Sequence, residues 1–150
     1  MSVSTRISFY SNFARDLLSG VHQFQSGTPH GFKVALTMVA DPSYAGYGDL
    51  TEIPPVHGYT TGGLSVGSFS LASSGSGWFR VIISSDSSFT ASGGDIGPFR
   101  FISLYNDTAP GKPLVCYWDY GKAYTIIDGV TFPVDFNQTN GIFLIKPIVF

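Results

Sequence analysis

Beyond Thr28 the chain is a succession of short apolar or alternating runs, broken at close intervals by Gly, Pro, Ser, Asn and Asp. Runs of that length with that punctuation predict β-strands, and many of them in one chain predict an all-β protein. The expected strands are 32–39, 58–61 continued by 65–71, 78–84, 99–105, 114–120, 124–127, 130–136 and 142–149. About eight strands are enough for a two-sheet sandwich. In 114–120, Leu114, Cys116, Trp118 and Tyr120 alternate with Val115, Tyr117 and Asp119. Both faces of that strand carry apolar area, which places it inside a sheet or beneath a second layer. Asp128 and Gly129, between Ile127 and Val130, have the residue types of a two-residue type I′ turn and predict a hairpin of the strands on either side.

Residues 12–19 differ in period. Ser11 before them and Gly20 after them supply an N-cap and a C′ glycine for two turns of helix, with Phe13 and Leu17 on one face and Ala14, Leu18 and Val21 beside it. Ala14 stands where a capping box needs Glu or Gln, so that motif is missing. Residues 1–10 read as an N-terminal arm and 11–150 as a single domain without repeat or linker. Two stretches read as loops: 41–56, which holds Tyr44 and Tyr47 among Pro42, Gly46, Gly48, Pro54 and Pro55, and 84–98, rich in Ser and Gly. Aromatic residues in such a loop either anchor a contact or cover the end of a sheet.

Composition sharpens the picture. A chain of 150 residues is one ordinary domain. Only 12% of it is charged and 15% is aromatic, against about 25% charged in a typical soluble domain. A surface so poor in ions is expected to be covered in part by another chain, since large apolar patches seldom stay exposed on monomers. A net charge of −2 gives no clustered cations to displace counterions from a phosphate backbone, so nucleic acid is not an expected partner. Cys116 is the sole cysteine and reads as a small buried hydrophobe. The first ten residues lack the apolar run of an export signal, and no stretch approaches the roughly 20 apolar residues of a membrane helix. The expectation is a soluble protein made in a cytoplasm, with no membrane partner.

Candidate chemistry is sparse. His22, His30 and His57 have no second His, Cys or carboxylate at a metal-site spacing, and His30 and His57 adjoin glycines as turn residues do. No GxSxG nucleophile elbow occurs. Asp119, between Trp118 and Tyr120, is expected to be a buried, hydrogen-bonded carboxylate, and one acid is not the pair that glycoside cleavage needs. Gly58 to Gly63 lack the Gly-Lys-Ser/Thr ending of a phosphate loop and read as a bend or bulge. No catalytic, cofactor-binding or metal-binding residue is assigned, and the expectation is a protein that is not an enzyme.

Several segments taken in order resemble a family of small structural proteins encoded in tailed-bacteriophage genomes. They are a helix end at Leu17 to His22, a strand Phe32 to Thr37, the glycine-tyrosine element Gly58 to Gly63, and the block Leu104 to Asn106, Pro113-Leu114 and Asp119 to Gly121. Thr131 to Phe136 and Gly141 to Ile145 close the pattern, which spans nearly the whole chain. It departs at Glu52 to His57, where Pro54 and Pro55 stand in place of glycine. The resemblance implies a virion component: a capsid cement or decoration protein with a jelly-roll-like sandwich, bound across subunits of the major capsid protein on the capsid surface, and itself a homodimer or homotrimer. Partner contacts are then expected at Phe9 and Tyr10 in the arm, at Tyr44 and Tyr47, and at Ile148, Val149 and Phe150. A tail or baseplate component is the first alternative. A carbohydrate-binding module stacking sugars on Trp78, Trp118 or the Tyr44 and Tyr47 loop is the second.

Overall fold

The computed structural model describes residues 6–25 and 27–150, so the first five positions of the expected arm lie outside the described residues. The elements run β1 (Arg6–Phe9), α1 (Phe13–Leu18), β2 (Phe32–Thr37), a 3-10 turn (Tyr47–Asp49), β3 (Leu64–Ser65), β4 (Phe69–Ser73), β5 (Phe79–Ile83), β6 (Ser87–Thr90), β7 (Ile96–Asn106), β8 (Leu114–Ile126), β9 (Thr131–Val134) and β10 (Phe143–Ile145). All pairings are antiparallel. The sheets are β1-β8-β7-β2-β3, β10-β5-β4 and β6-β9. The fold class is all-β, as the punctuated apolar runs predict.

The main core takes side chains from all three sheets: Val34, Leu36, Ile102, Leu104 and Trp118 from the largest, Phe69, Val81 and Phe143 from the second, Phe89 and Val134 from the third. The large sheet is covered on its other face as well, where Ala35, Tyr105, Leu114 and Tyr117 pack with Tyr10, Tyr44, Tyr47 and Leu50. The two apolar faces of 114–120 therefore both find cover, and β8 lies between β1 and β7. Its alternation is not simple. Leu104 pairs with Cys116 and Tyr105 with Leu114, so Val115 is an extra residue, and this bulge puts Leu114 on the face of Tyr117 while Val115 joins Cys116 in the main core.

Several sequence-based expectations are corrected. The arm is not free: Arg6–Phe9 pair with β8 as an edge strand. Ser11 does not cap the helix, whose N-cap is Asn12 without a side-chain hydrogen bond, though Gly20 takes the left-handed conformation expected after its end. Residues 58–61 form no strand, because His57, Gly58, Gly62 and Gly63 all have positive φ and break the ladder. The run 65–71 splits into β3 and β4, and 124–127 belongs to the far end of β8. The segment 84–98 contains β6, whose polar sequence hid it. Asp128 and Gly129 do form a turn, closed by Val130 N–H donating to Ile127 C=O at 2.9 Å, but no hairpin follows. β8 pairs there with β7, and β9 turns away to β6.

Gly63 marks the tightest approach of this framework. A Cβ there would lie 1.8 Å from the Val34 carbonyl oxygen, and φ is +75°. Gly129 has φ +83° with nothing within 4 Å. Gly129→Ala is therefore expected to cost only the left-handed strain, about 1–2 kcal/mol, and Gly63→Ala considerably more, because β2 must move. Urea unfolding of both variants checks the ranking; equal losses would show that the close approach is not what Gly63 serves.

Candidate partner-binding surfaces

Of the residues expected to meet a partner, the structure buries Tyr10 in the chain's own second core and packs the partly exposed Tyr44 and Tyr47 against it. Tyr10 is buried, with its hydroxyl 2.7 Å from Ser103 Oγ and its ring against Tyr117. It leaves no surface for a neighbour. Tyr47 packs on Tyr105 at 4.7 Å between centroids. Its hydroxyl and that of Tyr59 both donate to Glu52, which also accepts the Gly62 N–H at 3.0 Å. Tyr59 accepts the Leu36 N–H in turn, and Tyr105 donates to the Gly62 carbonyl at 2.7 Å. Burial and the Glu52 hydrogen bond push Tyr47 up to about 12, so the phenol stays a donor at ordinary pH. Loop 41–56 is thus a lid fixed to the sheet. Glu52 was invisible as its anchor in the sequence, where only its place two residues before Pro54-Pro55 stands out.

The other expected contacts are exposed. Ile148, Val149 and Phe150 are uncovered, at 70%, 92% and 112%. They follow Lys146, whose Nζ sits 4.1 Å from the Trp78 ring centroid, and Pro147, which cannot extend the ladder of β10. Phe9 is 42% exposed, stacked on Phe13 and edge-on to Phe143. A third apolar surface was not anticipated. In β10-β5-β4, Leu71 pairs with Val81, and Phe79 and Ile145 pair with each other one rung outward on the same face. Val81 is buried on that face while Leu71, Phe79 and Ile145 are exposed. The core face of this sheet extends past whatever covers it.

The polar groups assemble differently from the sequence expectation. His22 and His30 are not isolated: Asn106 Nδ2 lies 3.2 Å from His22 Nδ1 and 2.9 Å from His30 Nδ1. Asn106 Oδ1 accepts the Thr108 and Ala109 N–H groups, which fixes the amide so that both histidines accept at Nδ1 and carry their proton on Nε2. His30 also lines a cleft with Phe24, Pro29, Phe32, Val66 and Phe69. His57 stays a turn residue, its Nδ1 2.9 Å from the Asp95 carbonyl oxygen. Asp119 is half-buried rather than buried, held by two bonds from Arg100 at 2.8 and 3.0 Å and by the Gly121 N–H. That arginine holds its carboxyl below the usual carboxylate range. Cys116 is fully buried and burial pushes its thiol up. Trp118 is buried, and Lys146 lies over the ring of the half-buried Trp78. Among the described residues no three His, Cys, Asp or Glu side chains converge as a metal site requires, and no helix is long and apolar enough to cross a membrane.

Burial drives His22 down to about 4, against the opposing pull of Asp16. Its folded value lies below its unfolded one, so between about 6.5 and 4 the unfolded chain binds a proton that the folded chain refuses. The neutral ring's contribution is complete above that window and is lost as pH falls through it, on the order of 3 kcal/mol in all. His22→Gln, which cannot titrate, is expected to close on the wild type in unfolding free energy as pH drops from 7 to 4; a constant gap would overturn the assignment.

No family model, curated protein or solved structure matches the chain.

Proposed function

We propose that this chain is a non-enzymatic virion structural protein, a capsid cement protein that binds across subunits of a phage major capsid protein and stabilises the head. The motif order set out above motivates the assignment. The observation that carries it is the surface: an ion-poor all-β body that leaves Ile148, Val149, Phe150, Phe9 and the end of β10-β5-β4 uncovered. Such side chains gain about 1.5–3 kcal/mol each on full burial. A ligand that binds only the expanded shell shifts the equilibrium toward it, and linked copies raise the effective affinity without any strong single contact. In the same proposal the sheets make a jelly-roll-like sandwich, with β1-β8-β7-β2-β3 as one layer and the two smaller sheets as the other.

The contact residues follow from exposure. Tyr10 is buried in the chain's own core and drops out, while Tyr44 and Tyr47 pack against that core and stay partly exposed. Ile148, Val149, Phe150 and Phe9 are the more exposed of the set. Replacing Ile148, Val149 and Phe150 together by Ser is expected to reduce occupancy on purified capsids at least about tenfold, given the burial energies involved. The unfolding temperature should hardly move, because those side chains touch little in the isolated chain. Unchanged occupancy removes the segment from the interface. Quantitative mass spectrometry of purified virions tests the role itself: a cement protein is present on the order of hundreds of copies, as multivalent cover of a shell demands, whereas a few copies per particle indicate a tail or baseplate part.

A further inference from the structure

Sheet edges are hazards that proteins normally blunt with charge, proline, shortness or cover. Most edges here are treated in one of these ways. β3 has two residues; β10 has three and runs into Pro147; β9 contains Pro133; β1 carries Arg6; β6 is tied to β3 through Ser87 Oγ donating to the Ser65 carbonyl at 3.1 Å. β4, Phe69–Ser73, is the exception. It is five residues long, has neither charge nor proline, and among the described residues has β5 on one side only.

The ladder fixes what β4 presents outward. Ser84 N–H donates to the Ser68 carbonyl and Ser74 N–H to the Trp78 carbonyl, each at 2.8 Å. The rungs bonded to β5 therefore fall at even-numbered residues of β4, including Ser70 and Ala72. Phe69, Leu71 and Ser73 turn their N–H and C=O groups away from β5 toward the open edge. These three are symmetric about Leu71, which lies on the core face of the sheet and is 46% exposed.

We propose that two copies of the chain join edge to edge through β4, antiparallel across a two-fold axis at Leu71. In that register Leu71 meets Leu71 of the second copy as a bonded pair, and Phe69 meets Ser73 in both directions, so every outward backbone group of the strand is satisfied. Ser70 faces Ala72 on the other side, and both are small enough to let the strands close. The contact is isologous and self-limiting, with one patch serving both copies. It joins two β10-β5-β4 sheets into one whose outer edges are the short β10 strands ending before Pro147, and it extends the apolar surface around Leu71, Phe79 and Ile145 across the join. The inference deepens the docking role proposed above by naming the self-partner. Its test uses the purified chain without capsids, so its failure leaves capsid attachment standing.

Sedimentation velocity of the purified chain is expected to show a dimer. Leu71→Lys puts like charges opposite each other and is expected to give a folded monomer, with foldedness confirmed by an unchanged circular dichroism melt. Register is read by cross-linking. Leu71→Cys places two Cα atoms about 5.5 Å apart in a bonded pair, within disulfide reach, and is expected to form oxidised dimer at least about tenfold faster than Ser70→Cys, which faces Ala72 instead. Cys116 is buried and does not compete. A monomer at all concentrations, a trimer, a dimer indifferent to Leu71→Lys, or equal cross-linking of the two cysteine variants would each overturn the proposal.

Discussion

A strand that is apolar on both faces has to be covered on both, and β8 imposes that demand on the rest of the chain. One face is met by the smaller sheets, whose Phe69, Val81, Phe89 and Val134 close the main core. The other is met by a loop, and a loop covers a sheet only if its own backbone is satisfied and its position is fixed. Glu52 fixes it. By accepting from Tyr47, Tyr59 and Gly62 at once, this carboxylate ties the 3-10 turn, the glycine-rich bend and, through the Leu36 N–H on Tyr59, the interior strand β2. Gly63 then has to pass against the Val34 carbonyl closely enough to exclude a side chain. Loop 41–56 is consequently part of the fold, fixed to the sheet it covers.

Local patterning made the fold class readable and left the pairing hidden. The alternation of Leu114 to Tyr120 announced a doubly covered strand, and Gly20 announced the end of the helix. Each rests on forces acting within a few residues. Strand partners depend on contacts far apart in sequence, so the good turn at Asp128-Gly129 was read as a hairpin although β9 has its partner in β6. The same distance hid the junction of Asn106 with His22 and His30, which lie 84 and 76 residues away. The Val115 bulge escaped because both parities of that strand are apolar, and a register shift between two apolar faces leaves no mark in the sequence. Exposure was legible only in part. Aromatic residues in a polar loop look alike whether they face a neighbour or their own sheet, and Tyr44 and Tyr47 face their own sheet.

Several of the few charges are paired locally. Arg100 is held on Asp119, Lys33 and Lys112 both reach Asp107, and Arg15 sits on its neighbour Asp16. Exposed pairs of this kind contribute little stability each. They neutralise part of a charge complement that is small to begin with, and the surface is rich in Ser, Thr, Gly, backbone and scattered apolar side chains. A surface of that kind gives little long-range electrostatic steering. It selects partners by shape, by unpaired backbone and by apolar area, and those features sit at definite places here: the β4 edge, the rim of Leu71, Phe79 and Ile145, and the segment after Pro147.

These places lie along a single sheet. β4 is one edge of β10-β5-β4, the exposed rim belongs to its core face, and the segment after Pro147 leaves from its opposite edge. The large sheet, clamped on both faces and edged by β1 and the two-residue β3, is by contrast closed to further pairing at β3 and charged at Arg6. In the docking role proposed above, stability and attachment fall to different sheets: the doubly covered sheet carries the buried polar junctions, and the smaller sheet keeps the groups that a neighbour would satisfy. Because the two are packed through one continuous core, a load applied to the small sheet is passed into the most tightly fixed part of the molecule, as the docking role proposed above requires.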